Sequence, residues 1–357
     1  MIIMHTTSPR IRSTIYYLIA AAALAIACVA LQTYGQQPES SKPPEPTGVE
    51  VIQKDAEALG PTLKSELAKH FVAMSKYLPQ IHTRTLYRHK TTRAWLSKAD
   101  FDKLSEDARK EVVERPLDES FYYNTGYGSP LSYLRPLEVL AAHGVTDIKG
   151  FRTLDYGCGG VAPVRMFACL AVDAVGVDIE PLFPLYYNQP GDQGDVQTPA
   201  GKGKITLITG RWPAEEAAKA AVGGGYDLII SKNTLKKGYV TPEKPADEKF
   251  LVKLGVADIN FVKAMFDALK PGGKVLIYNI CGKQNPEKYL PMADGRCPFP
   301  REMLETVGFK VLAFDADDSP ACRVMAKVLG WDQGKGAASL EDDFFAHYTL
   351  FERPSGS

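Results

Sequence analysis

Two carboxylates flank a glycine turn near the middle of the chain. Asp155 sits in Leu154 to Gly160, reading LDYGCGG, and Asp178 closes the run Ala174 to Asp178, reading AVGVD. Glycine has no Cβ, so a turn built on Gly157 and Gly159 lets a ligand approach backbone N–H groups. An acidic residue ending the next strand can accept hydrogen bonds from two ribose hydroxyls. Asp155 lies two residues before the first glycine, where a carboxylate repels phosphate and attracts an ammonium group. The chemistry on offer is recognition of a nucleoside-containing ligand. The turn also fits the spacing Gly157-x-Gly159-x-x-Ala162 of a dinucleotide fingerprint, a weak signal when alone.

These residues need strands that end beside one another. The pattern predicts strands over 151–155, 174–178, 205–209, 226–231, 274–280, 309–315 and 347–352, with helical stretches between them. Pro163 is tolerated only in a first helical turn, which sets the helix after the glycines to begin at 160–162. Residues 180–204 read as an irregular insertion, and 257–269 as an amphipathic helix. The alternation argues for an α/β fold with a doubly wound, mostly parallel seven-stranded sheet. Ligands of such sheets sit beyond the carboxyl ends of the strands, at the switch point. Asp155, Gly157, Asp178, Trp212, Ser231 and Lys232 all fall at those ends.

The N-terminal part reads differently. Residues 1–36 form a leader: Arg10 and Arg12 precede an uncharged apolar stretch from Ile15 to Leu31, as in a signal peptide or an N-terminal membrane anchor. Residues 37–48 are a proline-rich linker, and 49–120 a helical appendage before the main domain at 121–357. Within the appendage, Arg84 to Arg93 is a basic patch near Tyr87 and Trp95. It reads either as a contact for an anionic ligand or phospholipid surface, or as a solvated helix face. The tyrosine-rich run Phe121 to Tyr133 reads either as a lid contributing Tyr123, Tyr127 and Arg135, or as an aromatic seam docked on the core. Lysine plus arginine equals aspartate plus glutamate at 42 each, which argues against a duplex nucleic-acid binder. The six cysteines form no CxxC and the six histidines no HExxH, which argues against a structural zinc site or a disulfide scaffold.

Taken in order, these elements resemble the class I S-adenosylmethionine-dependent methyltransferases, over about 121–353. The resemblance is carried by LDYGCGG, by Val177 and Asp178, by YDLII from Tyr226 and by LKPGGKVLI from Leu269. It implies S-adenosylmethionine as cofactor, with Asp155, Gly157, Cys158 and Gly159 at its methionine end. It implies Asp178 on the ribose and Ile179 against adenine. Arg211 stands where that family often has an aspartate, which leaves adenine to Trp212 or to backbone; Ser231, at the end of its strand, is a further cofactor-binding candidate. Val161 replaces a frequent glycine. Candidate acceptor-side residues are Tyr123, Tyr127, Lys232, Asn233 and Asn279, with Lys236 and Tyr239. The implied activity is methyl transfer to a small-molecule or lipid-like acceptor, on a chain tied to a membrane by its leader. Ser231 to Thr234 reads SKNT, which is not the motif of amino-directed DNA methyltransferases. Two other readings stand beside this one: a membrane-tethered, non-catalytic ligand-binding protein, and a dinucleotide-dependent oxidoreductase, against which Asp155 speaks.

Overall fold

Among the described residues, the N-terminal part is mixed rather than helical. In the computed structural model, which describes residues 48–124, 128–285, 287–333 and 339–356, helices Gly48–Leu59 and Glu66–Ala73 come first. Strands β1 (Arg84–His89), β2 (Trp95–Leu96) and β3 (Val112–Leu117) follow as an antiparallel sheet in the order β2-β1-β3. The helical reading of 49–120 is corrected here. Ser105 caps a short helix, its side chain accepting from the Ala108 N–H, and that helix ends at Lys110. Pro116 sits inside β3. β3 pairs only with β1, and an edge strand tolerates a residue without an N–H. The leader, the linker to Thr47, and Tyr127 lie outside the described residues. Among the described residues no helix is long and apolar enough to cross a membrane.

The second sheet carries the expected architecture. β4 (Arg152–Tyr156), β5 (Asp173–Asp178), β6 (Gly194–Thr198), β7 (Gly201–Thr209), β8 (Tyr226–Lys232), β9 (Leu269–Cys281), β10 (Lys310–Asp317) and β11 (Phe345–Glu352) lie in the order β10-β11-β9-β8-β4-β5-β7-β6. The pairs β4–β5, β4–β8, β5–β7 and β8–β9 are parallel, while β10–β11, β9–β11 and β6–β7 are antiparallel. There are eight strands rather than seven because residues 194–198 of the supposed irregular insertion fold back as a hairpin on β7. β7 accordingly starts at Gly201, before the predicted strand. Gly203 within it lies so close to the Ala168 carbonyl that a Cβ would stand 1.9 Å from its oxygen. That close approach seats the helix Val161–Cys169 on the sheet.

Two apolar cores cover the two faces. One holds Trp212, Phe261, Met265 and Phe299 against β4, β8 and β9 residues such as Leu154, Ile229 and Val275. The other joins Val49, Ile52, Leu59 and Phe71 of the N-terminal helices to Phe167 of the helix Val161–Cys169 and to Leu228 and Leu276 of the main sheet. The N-terminal segment from Gly48 therefore shares its core with the sheet domain. The chain winds outward from β4 in both directions, so the switch point lies between β4 and β8. Asp155 and Lys232 are on those two strands.

Candidate active site at the switch point

The glycine turn folds as its residue types require. Gly157 and Gly159 both take left-handed backbone, with φ of 71° and 66°, which a residue with a Cβ enters only with strain. The helix Val161–Cys169 starts directly after it. A Cβ on Gly157 would lie within 2.6 Å of three Thr234 side-chain atoms, so the loop after β8 closes down on the turn. Thr234 Oγ1 also donates to the Gly157 carbonyl at 3.2 Å. The turn is locked from its other side by Asp178. One of its carboxylate oxygens accepts from the Gly159 N–H at 2.9 Å and the other from the Glu180 N–H at 3.1 Å. Burial raises the Asp178 carboxyl above its usual range, and these backbone bonds oppose the shift. Ile179, the next residue, is 60% exposed, which is unusual for a large aliphatic side chain at a strand end.

Asp155 is buried at 2% exposure. One carboxylate oxygen accepts from the Tyr133 hydroxyl at 2.8 Å, and the other, Oδ1, has no hydrogen-bond partner among the described residues. Such an orphan is costly in a dry interior and marks a place where a donor belongs. Burial pushes the Asp155 carboxyl up to about 7, against the pull of the Tyr133 hydroxyl and the Lys232 charge. The register pairs Asp155 with Ile230, so Lys232, two residues on, projects from the same face of the sheet. The Lys232 ammonium lies 5.4 Å from the centre of the Tyr133 ring. It donates no hydrogen bond to a described residue, and burial lowers it to about 8 while Asp155 opposes the shift.

Beyond Lys232 the loop is tied down by its own side chains. Asn233, at φ 65°, accepts the Ile280 N–H on its side-chain oxygen at 2.7 Å. Lys236 donates to the Ile280 carbonyl at 2.6 Å, and burial lowers its ammonium to about 8. Asn279 donates to the Leu235 and Gly295 carbonyls at 2.8 and 3.0 Å, leaving its buried side-chain oxygen without a partner. Ser231 is buried, with its hydroxyl oxygen accepting from the Leu235 N–H at 3.4 Å.

The sequence-predicted residues thus divide. Asp155, Gly157, Gly159, Asp178, Ile179, Ser231 and Lys232 gather at the strand ends around the turn. Cys158 is buried beneath it, its Sγ 2.8 Å from where a Cβ on Gly176 would stand. Trp212 is 2% exposed and packs edge-on against Tyr156 and Phe261, inside an apolar core. Tyr123 is buried in an aromatic seam with Tyr122 and donates to the Pro79 carbonyl. Arg135 makes a bidentate ion pair with Asp318 at 2.6 and 2.9 Å. Tyr127 lies outside the described residues. Two residues were missed, Tyr133 and Thr234. The signal for Tyr133 was present, since it closes the tyrosine-rich run that supplied Tyr123. Among the described residues no three His, Cys, Asp or Glu side chains gather as a metal site would require.

The geometry defines a doubly wound α/β protein with a glycine turn, two carboxylates and an exposed aliphatic residue at its switch point. No protein-family model and no curated protein matches the chain. Several solved structures are similar to it. Phosphoethanolamine N-methyltransferase 2 of Haemonchus contortus, in complex with S-adenosyl-L-methionine, is 14% identical; the match covers 81% of this chain and 74% of that one, at a TM-score of 0.36. A TehB-like S-adenosylmethionine-dependent methyltransferase of Corynebacterium glutamicum is 17% identical, over 63% and 97% of the two chains, at 0.30. The cyclopropane synthase MmaA2 of Mycobacterium tuberculosis is 15% identical, over 61% and 85%, at 0.36. Identity and TM-score are low in all three, so the fold rests on the strand order of this chain itself.

Proposed function

We propose that this chain binds S-adenosylmethionine at the β4–β8 switch point and transfers its methyl group to a small-molecule or lipid-like acceptor. The observation that carries the reading is Asp155: a buried carboxylate two residues before a left-handed glycine, with one oxygen unpartnered. It suits an ammonium and repels a phosphate. Asp178 stands where a ribose would be held, and the exposed Ile179 offers an apolar face beside it.

When bound, S-adenosylmethionine supplies a methyl group on a sulfonium, released by displacement at carbon. The chain's own contribution is alignment. Asp155 fixes the amino-acid end, Asp178 the sugar, and the loop after β8 the acceptor side. Asn279 offers an unpartnered carbonyl oxygen there. The dinucleotide reading is disfavoured by the same buried carboxylate, which would repel a pyrophosphate at the glycine turn. The non-catalytic reading draws support from Thr234, packed against the turn. We further propose that residues 1–36 tether the chain to a membrane, the apolar stretch being the support.

Titration calorimetry on the full chain tests the first proposal. S-adenosylmethionine and S-adenosylhomocysteine should bind and NAD should not. No heat with either adenosyl ligand would sink the methyl-transfer reading. Binding without turnover across a metabolite panel of anionic and amphiphilic acceptors would favour the non-catalytic one.

A further inference from the structure

Asp155 and Lys232 form an unusual pair. They carry opposite charges, sit on adjacent strands and project from one face of the sheet. Both touch Tyr133, Asp155 at the hydroxyl and Lys232 at the ring. Yet no ion pair joins them, although twenty are formed elsewhere among the described residues. A separation of one strand and two residues puts their Cα atoms roughly 8 Å apart, a span that a lysine side chain can close, so the missing ion pair is not imposed by the strands; the Lys232 ammonium lies instead against the Tyr133 ring. Each charge is also incompletely satisfied. Asp155 Oδ1 has no partner, and the Lys232 ammonium has only the ring. An unsatisfied carboxylate and an unsatisfied ammonium on one face of adjacent strands are complementary to a group bearing both charges in reverse, the zwitterion of an α-amino acid.

We infer that Lys232 is a ligand-binding residue that holds the α-carboxylate of the bound adenosyl amino acid, while Asp155 Oδ1 takes the α-ammonium. Tyr133 is the wall that keeps the two readers apart. The inference rests on the proposed cofactor and assigns Lys232 to the donor rather than to the methyl acceptor. A charge-assisted hydrogen bond on each end selects the intact amino acid over analogues that lack one charge. Lys236 does not share this role, since its ammonium is already bonded to the Ile280 carbonyl.

The test is a matrix of affinities measured by calorimetry on the full chain. The ligands are S-adenosylmethionine, decarboxylated S-adenosylmethionine, which lacks the carboxylate, and 5′-methylthioadenosine, which lacks the amino-acid charges altogether. The proteins are wild type, Lys232→Met and Lys232→Gln, each checked for an intact melting transition; two side chains of different polarity guard against a local packing defect in either. Wild type should prefer S-adenosylmethionine over the decarboxylated form by about 10- to 100-fold, the range for a hydrogen bond to a charged group. Both variants should lose that preference, binding S-adenosylmethionine about 10- to 100-fold more weakly and leaving 5′-methylthioadenosine unchanged. If the variants retain the preference, or weaken all three ligands equally, Lys232 does not read the carboxylate and this inference alone falls. If no adenosyl ligand binds wild type, the cofactor reading falls and takes the inference with it.

Discussion

Asp178 illustrates how much a single side chain can be asked to do. Its two oxygens hold the Gly159 and Glu180 N–H groups, so it shapes the turn before any ligand arrives. Each carboxylate oxygen has a further lone pair, which leaves capacity for ribose hydroxyls. Asp178→Ala should therefore weaken S-adenosylhomocysteine and 5′-methylthioadenosine alike, by about 10- to 100-fold, because the ribose is common to both. Lys232→Met should spare the second ligand, so the two variants separate the sugar end from the amino-acid end. Unchanged affinity in Asp178→Ala would mean that β5 does not present the ribose partner. Asp155 and Asp178 were legible in the sequence because each ends a predicted strand two residues from a glycine. Tyr133 was visible as the end of a tyrosine-rich run, but its pairing with Asp155 was not, because the two are 22 residues apart and only the tertiary fold brings them together. Trp212 was misleading for a related reason. It follows a strand end, as a site residue would, but its size and apolarity send it into the core against Tyr156 and Phe261.

At the scale of elements, the main sheet was legible and the N-terminal sheet was not. The central parallel strands are buried on both faces and read as continuous apolar runs, which no other element imitates at that length. β1 is half basic residues, with Arg84, Arg88 and His89, and resembles a helix face in composition. Its fold is decided by a distant partner. Arg84, read as part of a basic surface patch, instead makes a bidentate ion pair with buried Asp192 at 2.7 and 2.9 Å. Tyr122 donates to the same carboxylate at 2.9 Å, and the Gln189 N–H at 2.8 Å. Arg165, on the helix after the glycine turn, donates to the Asp192 carbonyl at 3.1 Å. This cluster pins β1 and the tyrosine seam to the segment between β5 and β6. Removing one partner of a buried pair strands the other charge and costs about 3–5 kcal/mol. Asp192→Asn should accordingly lower unfolding stability in urea by about 3 kcal/mol. Arg84→Met made together with Asp192→Leu should recover part of the loss, because the stranded charge is gone. A loss below about 0.5 kcal/mol in the single variant would show that the cluster does not hold the two sheets together.

For the whole molecule, burying Asp155, Lys232 and Lys236 near one another makes stability depend on pH in a way that net charge does not anticipate. The chain is formally neutral, with 42 residues of each sign. The Asp155 carboxyl is raised from 3.8 to about 7, so between those values the folded chain holds a proton that the unfolded chain has released. That contribution declines as pH rises and is gone above about 7. Lys232 and Lys236 are lowered from 10.5 to about 8. Between 8 and 10.5 the unfolded chain keeps protons that the folded chain has lost, so their contribution grows as pH climbs through that window. The site is therefore least favourable to folding at pH 7 to 8, where all three groups are charged. That is also where an amino-acid zwitterion would find both its partners ionised, so ligand binding and the destabilised window coincide. Scanning calorimetry of wild type and of Lys232→Met with Lys236→Met, from pH 6 to 10.5, isolates the lysine part. The double variant should melt higher than wild type below pH 8, and the difference should shrink steadily toward pH 10.5 as the native lysines lose their charge. A difference that stays flat across that range would show that the two ammonium groups titrate as they do in water, and that the switch-point face is wetter than its packing implies.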